Sequence, residues 1–236
     1  MEKLPRLTLK EIGHIISKFF YFNKGVIYTF IHFIRWPYQT IKKYFDVDRM
    51  SIIHPLRYLI FGVAIDIIIN KFHPAAQLVL AEVTHNNLTN VNFKNLENKY
   101  GFAIGDAMNQ AYSIYMNYQK PYVLLIIPLF GVVTYFAFKK KYNFAENLVI
   151  NTYAVGTTVW INIGIVLLSI PFTTSKTMLG ISNAISVIAL IYLYKKMYQS
   201  TWIRAITSTF IVLGVAFLAG MVFQFSVVFF ILFKAA

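Results

Sequence analysis

Residues 205–233 read AITSTFIVLGVAFLAGMVFQFSVVFFILF, and this uncharged stretch decides the class of fold. With a rise of about 1.5 Å per residue, a helix of this length can cross a hydrocarbon core of about 30 Å even when it is tilted. The rest of the chain has the same character, since 58% of its 236 residues are hydrophobic and 13% are charged. A soluble domain of this size has too little interior to bury so much apolar surface. We therefore predict an all-α, polytopic integral membrane protein.

Further apolar segments precede this stretch, at residues 56–69, 122–138, 148–172 and 179–194. The first is short for a bilayer, and we expect it to continue through residue 72. Together the segments predict about five transmembrane helices in a domain covering residues 56–236. An Asn-rich stretch predicts a polar extracytoplasmic loop at about 71–120, part of which has the spacing of an amphipathic helix.

The first part of the chain, residues 1–55, combines apolar helical spacing with many Lys and Arg residues. This pattern predicts amphipathic helices that lie in the membrane interface before the first span. A span over residues 12–34 is the alternative. The cations expected to contact anionic lipid headgroups are Arg35, Lys42, Lys43, Arg49 and Arg57.

The charge balance predicts the orientation. Lys and Arg total 22 against 9 Asp and Glu, which gives a formal net charge of +13. In a membrane protein such an excess is expected on the cytoplasmic side, so it does not indicate nucleic-acid binding. With a cytoplasmic N-terminus and five spans, most of the cations fall on that side. We predict a multi-pass membrane protein with a cytoplasmic N-terminus and an extracytoplasmic C-terminus.

One carboxylate lies inside an apolar segment. Gly62, Asp66, Asn70 and His73 follow at i, i+4, i+8 and i+11, so they share one face of a helix. A carboxylate in a bilayer costs roughly 2.5–3.5 kcal/mol and should therefore face protein or water. Asp66 either hydrogen-bonds a neighbouring span, with Gly62 allowing close approach, or contacts a proton, ion or substrate.

A second polar stripe follows one face of the third predicted span. Its members are Asn151, Thr158, Asn162 and Ser169, at spacings of 7, 4 and 7 residues. Such residues commonly form hydrogen bonds between helices, worth about 1 kcal/mol per contact. The alternative is a polar conduit through the membrane.

The last predicted span carries a small-xxx-small pair, Ala216 and Gly220. Small residues at this spacing allow two helices to approach closely. The pair predicts a helix-contact surface, either within the chain or with another subunit.

The sequence offers no set of residues for catalysis or metal binding. There are no cysteines, which excludes thiolate ligands and a Cys nucleophile. Glu82 and His85 form one Glu-x-x-His pair, but a helical carboxylate metal site needs several such ligands. No nucleophile elbow or phosphate-binding glycine loop is present. We predict a protein that is not an enzyme and holds no metal or cofactor.

Residues 29–59 resemble a family of bacterial multi-pass inner-membrane proteins of uncharacterised function. The match rests on Thr29, Pro37, Tyr44, Arg49, Pro55 and Tyr58, with an echo at Glu146-Asn147-Leu148-Val149. Many members carry an N-terminal zinc ribbon of paired cysteines, which this chain lacks. Zinc therefore cannot be carried over to this chain, and the resemblance implies a polytopic protein of the bacterial inner membrane without assigned chemistry.

These observations favour a non-enzymatic accessory or scaffold subunit embedded in the membrane, with lipids and a larger membrane-protein complex as partners. The alternative is a small transporter or channel that uses Asp66 and the stripe from Asn151 to Ser169. A lipid-modifying enzyme is a third hypothesis.

Overall fold

The computed structural model describes residues 25–50, 52–72, 104–139, 141–169 and 175–235. All regular secondary structure in these ranges is α-helical, which confirms the predicted all-α class for this part of the chain. The helices are α1 (Val26–Arg35), α2 (Pro37–Asp46), α3 (Pro55–Phe72), α4 (Ile104–Ala137), α5 (Phe144–Ser169), α6 (Ser175–Met197) and α7 (Trp202–Ala235). Residues 1–24 and the loop predicted between α3 and α4, up to residue 103, lie outside the described residues.

Two helices in the described ranges are long and apolar enough to cross a membrane. They are Phe144–Leu168 within α5 and Trp202–Val227 within α7. The two differ in their surroundings, because 56% of the apolar window of α5 is buried inside the protein and only 11% of that of α7. The structure thus supports association with a membrane, and the count of about five spans stays a prediction.

Local sequence explains where the helices begin. Pro37 occupies the first turn of α2, where its missing N–H costs no hydrogen bond, and thereby separates α2 from α1. The α5 helix begins at Phe144, before the apolar segment predicted from residue 148. Asn143 Oδ1 accepts the Glu146 N–H and Glu146 Oε2 accepts the Asn143 N–H, both at 2.8 Å. This reciprocal capping also places a carboxylate at the positive end of the helix dipole.

The α4 helix joins two segments that were predicted to be separate. The amphipathic helix predicted within the polar loop and the apolar segment 122–138 form one helix, Ile104–Ala137. It passes through Pro121 and Pro128 without ending. In a membrane-type bundle neighbouring groups can compensate for the hydrogen bond that each proline removes, so a proline does not have to end a helix.

The five long helices form a bundle in which sequence neighbours run antiparallel. The C-terminal end of α6 lies beside the N-terminal part of α5, because Tyr194 bonds to Asn151 and Tyr198 bonds to Asn147. α3 and α5 instead run parallel, because Tyr58 lies beside Gly156 and Gly62 lies one turn further along beside Trp160.

This alternation brings the starts of α3, α5 and α7 and the ends of α4 and α6 to one end of the bundle, where α1 and α2 also pack. We call it the basic end, after its cations. They are Arg35, Lys42, Lys43, Arg49, Arg57, Lys139, Lys141, Lys195, Lys196 and Arg204.

The apolar faces of α1 and α2, the helices predicted to lie in the membrane interface, pack on the bundle. Phe33 of α1 and Tyr44 of α2 both pack on the ring of Tyr153 in α5, with centroid distances of 4.5 and 5.6 Å. Phe33 and Ile41 are fully buried. Burying a large side chain is worth about 1.5–3 kcal/mol, so contact with α5 stabilises this arrangement.

Candidate functional site

The most extensive polar feature of the described interior is a ladder of side chains on α5 that reaches α4 and α6. We call it the Asn–Tyr ladder; it consists of Asn147, Asn151, Thr134, Tyr194 and Tyr198, all buried. Its members come from three separate segments of the sequence, so the ladder forms only when the three helices pack together.

Asn151 is the centre of the ladder and uses both ends of its amide. Its Nδ2 donates to Thr134 Oγ1 of α4 at 2.8 Å and to the Asn147 carbonyl at 2.7 Å. Its Oδ1 accepts the hydroxyl of Tyr194 of α6 at 2.6 Å. One side chain therefore joins three helices. Buried polar groups satisfied in this way fix a unique packing arrangement.

Asn147 repeats the pattern one turn nearer the basic end. Its Nδ2 donates to the carbonyls of Tyr142 and Asn143 at 2.9 and 2.8 Å, and its Oδ1 accepts the hydroxyl of Tyr198 at 2.6 Å. The Tyr198 ring stacks on Phe138 at the end of α4, with centroids 3.8 Å apart. The ladder thus ties the α4–α5 connection to the end of α6.

The polar stripe predicted on α5 does not follow one path. Asn151 faces α4 and α6, whereas Thr158 donates to the carbonyl of Val155 in its own helix at 2.8 Å. Asn162 accepts a hydrogen bond from Ser182 of α6. Ser169 is the last residue of α5, and its side chain lies outside the described part of the structure.

Asp66 lies in the interior of α3, with only 2% of its surface exposed, and takes part in a polar or electrostatic interaction. One turn earlier, Gly62 is pressed against Trp160 of α5: a Cβ at Gly62 would lie 3.0 Å from the indole Nε1. That indole N–H is buried and has no hydrogen-bond acceptor among the described residues. The Asn70 side chain and His73 lie outside the described part of the chain.

The segment before α3 is held by hydrogen bonds that were not predicted from the sequence. Tyr153 donates its hydroxyl to the Ile53 carbonyl at 2.7 Å, and the Ile53 N–H donates to Thr29 Oγ1 of α1 at 3.2 Å. The Tyr58 and Thr157 hydroxyls lie 3.4 Å apart. The presence of Tyr and Thr in apolar segments indicates that such hydrogen bonds can form. The sequence does not show which groups they bond to, because the partners are distant along the chain.

The predicted headgroup cations, Arg35, Lys42, Lys43, Arg49 and Arg57, are all exposed at the basic end. Lys141 behaves differently, since its ammonium donates to the Tyr198 carbonyl at 2.8 Å and to Gln199 Oε1 at 3.3 Å. Partial burial of this ammonium lowers the pKa of Lys141. Burial also raises the pKa of its neighbour Tyr142 to about 12, with a smaller contribution from nearby acidic groups.

Ala216 and Gly220 of α7 face the protein's own helices. Gly220 is buried, and Ala216 packs against the buried core. Contacts between helices of the same chain therefore explain why these two residues are small.

No group of three or more His, Cys, Asp or Glu residues that could hold a metal ion occurs in the described ranges. No protein-family model matches the chain, and comparison with curated proteins and with solved structures finds no similar protein. The family resemblance at residues 29–59 stays a prediction.

Proposed function

We propose that this chain is a non-enzymatic accessory or scaffold subunit that is embedded in a bacterial inner membrane and binds lipid and a larger membrane-protein complex. The observation that carries the proposal is the outward apolar surface of α4 and α7. Leu125, Leu129, Val132 and Phe136 are exposed at i, i+4, i+7 and i+11 of α4. Exposed apolar surface of this extent marks a membrane or a protein interface.

The finer part of the proposal is that α3 to α7 cross the membrane as five spans. The alternating directions of these helices and the collection of cations at one end support it. Lys and Arg collect on the cytoplasmic side of membrane proteins, so we propose that the basic end and the N-terminus are cytoplasmic and the C-terminus is extracytoplasmic.

The Asn–Tyr ladder supports a scaffold over a conduit. Its amides and hydroxyls bond to one another and to backbone carbonyls, an arrangement that holds helices in place. A transporter or channel is the second candidate, and the buried carboxylate of Asp66 is the observation that favours it, because intramembrane carboxylates often serve proton or ion pathways.

The topology can be checked with reporter fusions. We expect a fusion after Lys141 to report from the cytoplasm and fusions at residues 86–98 and after residue 236 to report from the opposite side. A cytoplasmic signal from residues 86–98 would contradict the five-span arrangement.

The two candidate functions predict different behaviour of Asp66 variants after mild detergent extraction. As a scaffold, the protein should copurify with a stoichiometric partner, and Asp66→Asn should retain that partner because Asn keeps the size and much of the hydrogen bonding. Asp66→Leu should lower stability by about 1–3 kcal/mol, since it leaves the polar partner of Asp66 unsatisfied. The measurements are partner retention and thermal stability of both variants.

Two results together would instead favour the transporter. The protein would purify as an isolated homo-oligomer, and its Asp66→Asn variant would be stable but would have lost proton-coupled flux, since Asn cannot titrate.

A further inference from the structure

The end of α1 is bonded to α6, and both helices carry cations in their last turns. The hydroxyl of Tyr192 in α6 donates to the carbonyl of Ile34 at 3.1 Å and so fixes the end of α1 against α6. Arg35 is the next residue after Ile34, and the ammonium of Lys196 lies 5.9 Å from the centre of the Tyr192 ring. Lys195 and Lys196 both belong to the last turn of α6. Because the Tyr192–Ile34 hydrogen bond joins the two helix ends, we group Arg35, Lys195 and Lys196 as the α1–α6 cation cluster.

Tryptophans flank this cluster. The Lys195 ammonium lies 3.9 Å from the ring centre of Trp202, a close cation–π contact, and the Arg35 guanidinium lies 5.9 Å from that of Trp36. The two tryptophans are half exposed, at 47% for Trp36 and 52% for Trp202. Tryptophan is enriched where a membrane meets water, which places the cluster at the level of lipid headgroups.

The helices α1, α6 and α7 contain no Asp or Glu. The helix α2, which also packs on α6, carries Asp46 as its last residue, at the end opposite to Trp36. The charge of the cluster is therefore not balanced within α1, α6 or α7. This distinguishes it from Lys141, whose ammonium is used within the protein.

An apolar path begins beside the cluster. Trp202, Ile206, Phe210 and Phe217 follow at i, i+4, i+8 and i+15 of α7, so they share one flank of the helix. All four are exposed. The path runs from the basic end along α7, away from the cations, with the geometry of an acyl chain below its headgroup.

We propose that the α1–α6 cation cluster binds the phosphate of an anionic phospholipid, whose acyl chain lies along the path from Trp202 to Phe217. The inference rests on the membrane embedding proposed above and names the lipid class and its site. The proposed site contains Arg35, which is one of the headgroup cations predicted from the sequence. It also contains Lys195 and Lys196, which come from a distant segment.

The test uses the full chain in phosphatidylcholine bilayers that contain a small, equal fraction of brominated phosphatidylglycerol or brominated phosphatidylcholine. Bromine quenches nearby tryptophan fluorescence, and a Trp160→Phe background leaves Trp36 and Trp202 as reporters beside the site. We expect stronger quenching by the brominated phosphatidylglycerol. The preference should fall by at least about fivefold in Arg35→Gln/Lys195→Gln/Lys196→Gln, since a single cation near anionic lipid accounts for about that factor.

The matched control is Lys42→Gln/Lys43→Gln/Arg49→Gln, which removes the same number of cations from the same end. These cations were also predicted to contact headgroups, so we expect some loss of the preference, but a smaller loss than in the first triple variant. Equal quenching by the two lipids, or the same loss in both triple variants, would overturn the site in favour of diffuse attraction. If the wild-type chain still copurifies with its partner complex, the scaffold function survives that result. Quenching by neither lipid would contradict the embedding and the site together.

Discussion

We expect the free energy of unfolding of the Asn151→Leu variant to be about 2–4 kcal/mol lower than that of the wild type. Leu is similar in size but removes the acceptor of the Tyr194 hydroxyl and the donor to Thr134 Oγ1. Both partners are fully buried, so no bulk water replaces the lost bonds. The measurement is denaturant or thermal unfolding of the detergent-solubilised protein.

Two further variants make this prediction specific. Thr158→Val on the same helix removes a hydroxyl that bonds only to the Val155 carbonyl of α5 in the described structure, and it should change stability little. Tyr194→Phe in the Asn151→Leu background should recover part of the loss, because the stranded donor is removed as well. If Asn151→Leu is as stable as Thr158→Val, the ladder does not hold the helices together.

The Gly156→Leu variant should be destabilised by about 3 kcal/mol through overpacking. A Cβ at Gly156 would lie 2.7 Å from Tyr58 Cδ1 and 2.9 Å from Cε1, closer than real Cβ atoms come. The Tyr58 ring is itself fully buried, so it has no space into which it can move. We therefore expect α3 and α5 to separate, which can be measured as lower thermal stability and lower yield of folded protein.

Gly164→Leu, two turns further along α5, is the control. Nothing lies within 4 Å of a Cβ at Gly164. The free energy of unfolding of this variant should therefore lie within about 0.5 kcal/mol of the wild-type value. Equal loss of stability in the two variants would mean that a general intolerance of α5 to bulky residues, and not the contact with Tyr58, explains the result.

The sequence by itself determined the features that depend on neighbours along the chain. Long uncharged stretches leave the helix as the structure that satisfies every backbone group without water, and this determined the all-helical class of the described residues. Pro37 determined the break between α1 and α2. Asn143 and Glu146, three residues apart, determined the start of α5 by capping each other. The 3.6-residue period likewise put Asp66 and Gly62 on one face of α3.

Only the tertiary structure decided which side chains meet across helices. The stripe on α5 was visible as spacing, but Asn151 turned out to bond with Tyr194, 43 residues away, while Thr158 bonds within its own helix. The apolar faces of α1 and α2 were also recognisable from the spacing of the sequence. Whether these faces contact lipid or protein depends on how α5 and α6 pack beside them. The α1–α6 cation cluster joins Arg35 to residues of a distant helix. The physical reason is that helical periodicity is a local property, whereas the register between two helices is set by close contacts such as that of Gly156 with Tyr58, which no spacing in one segment encodes.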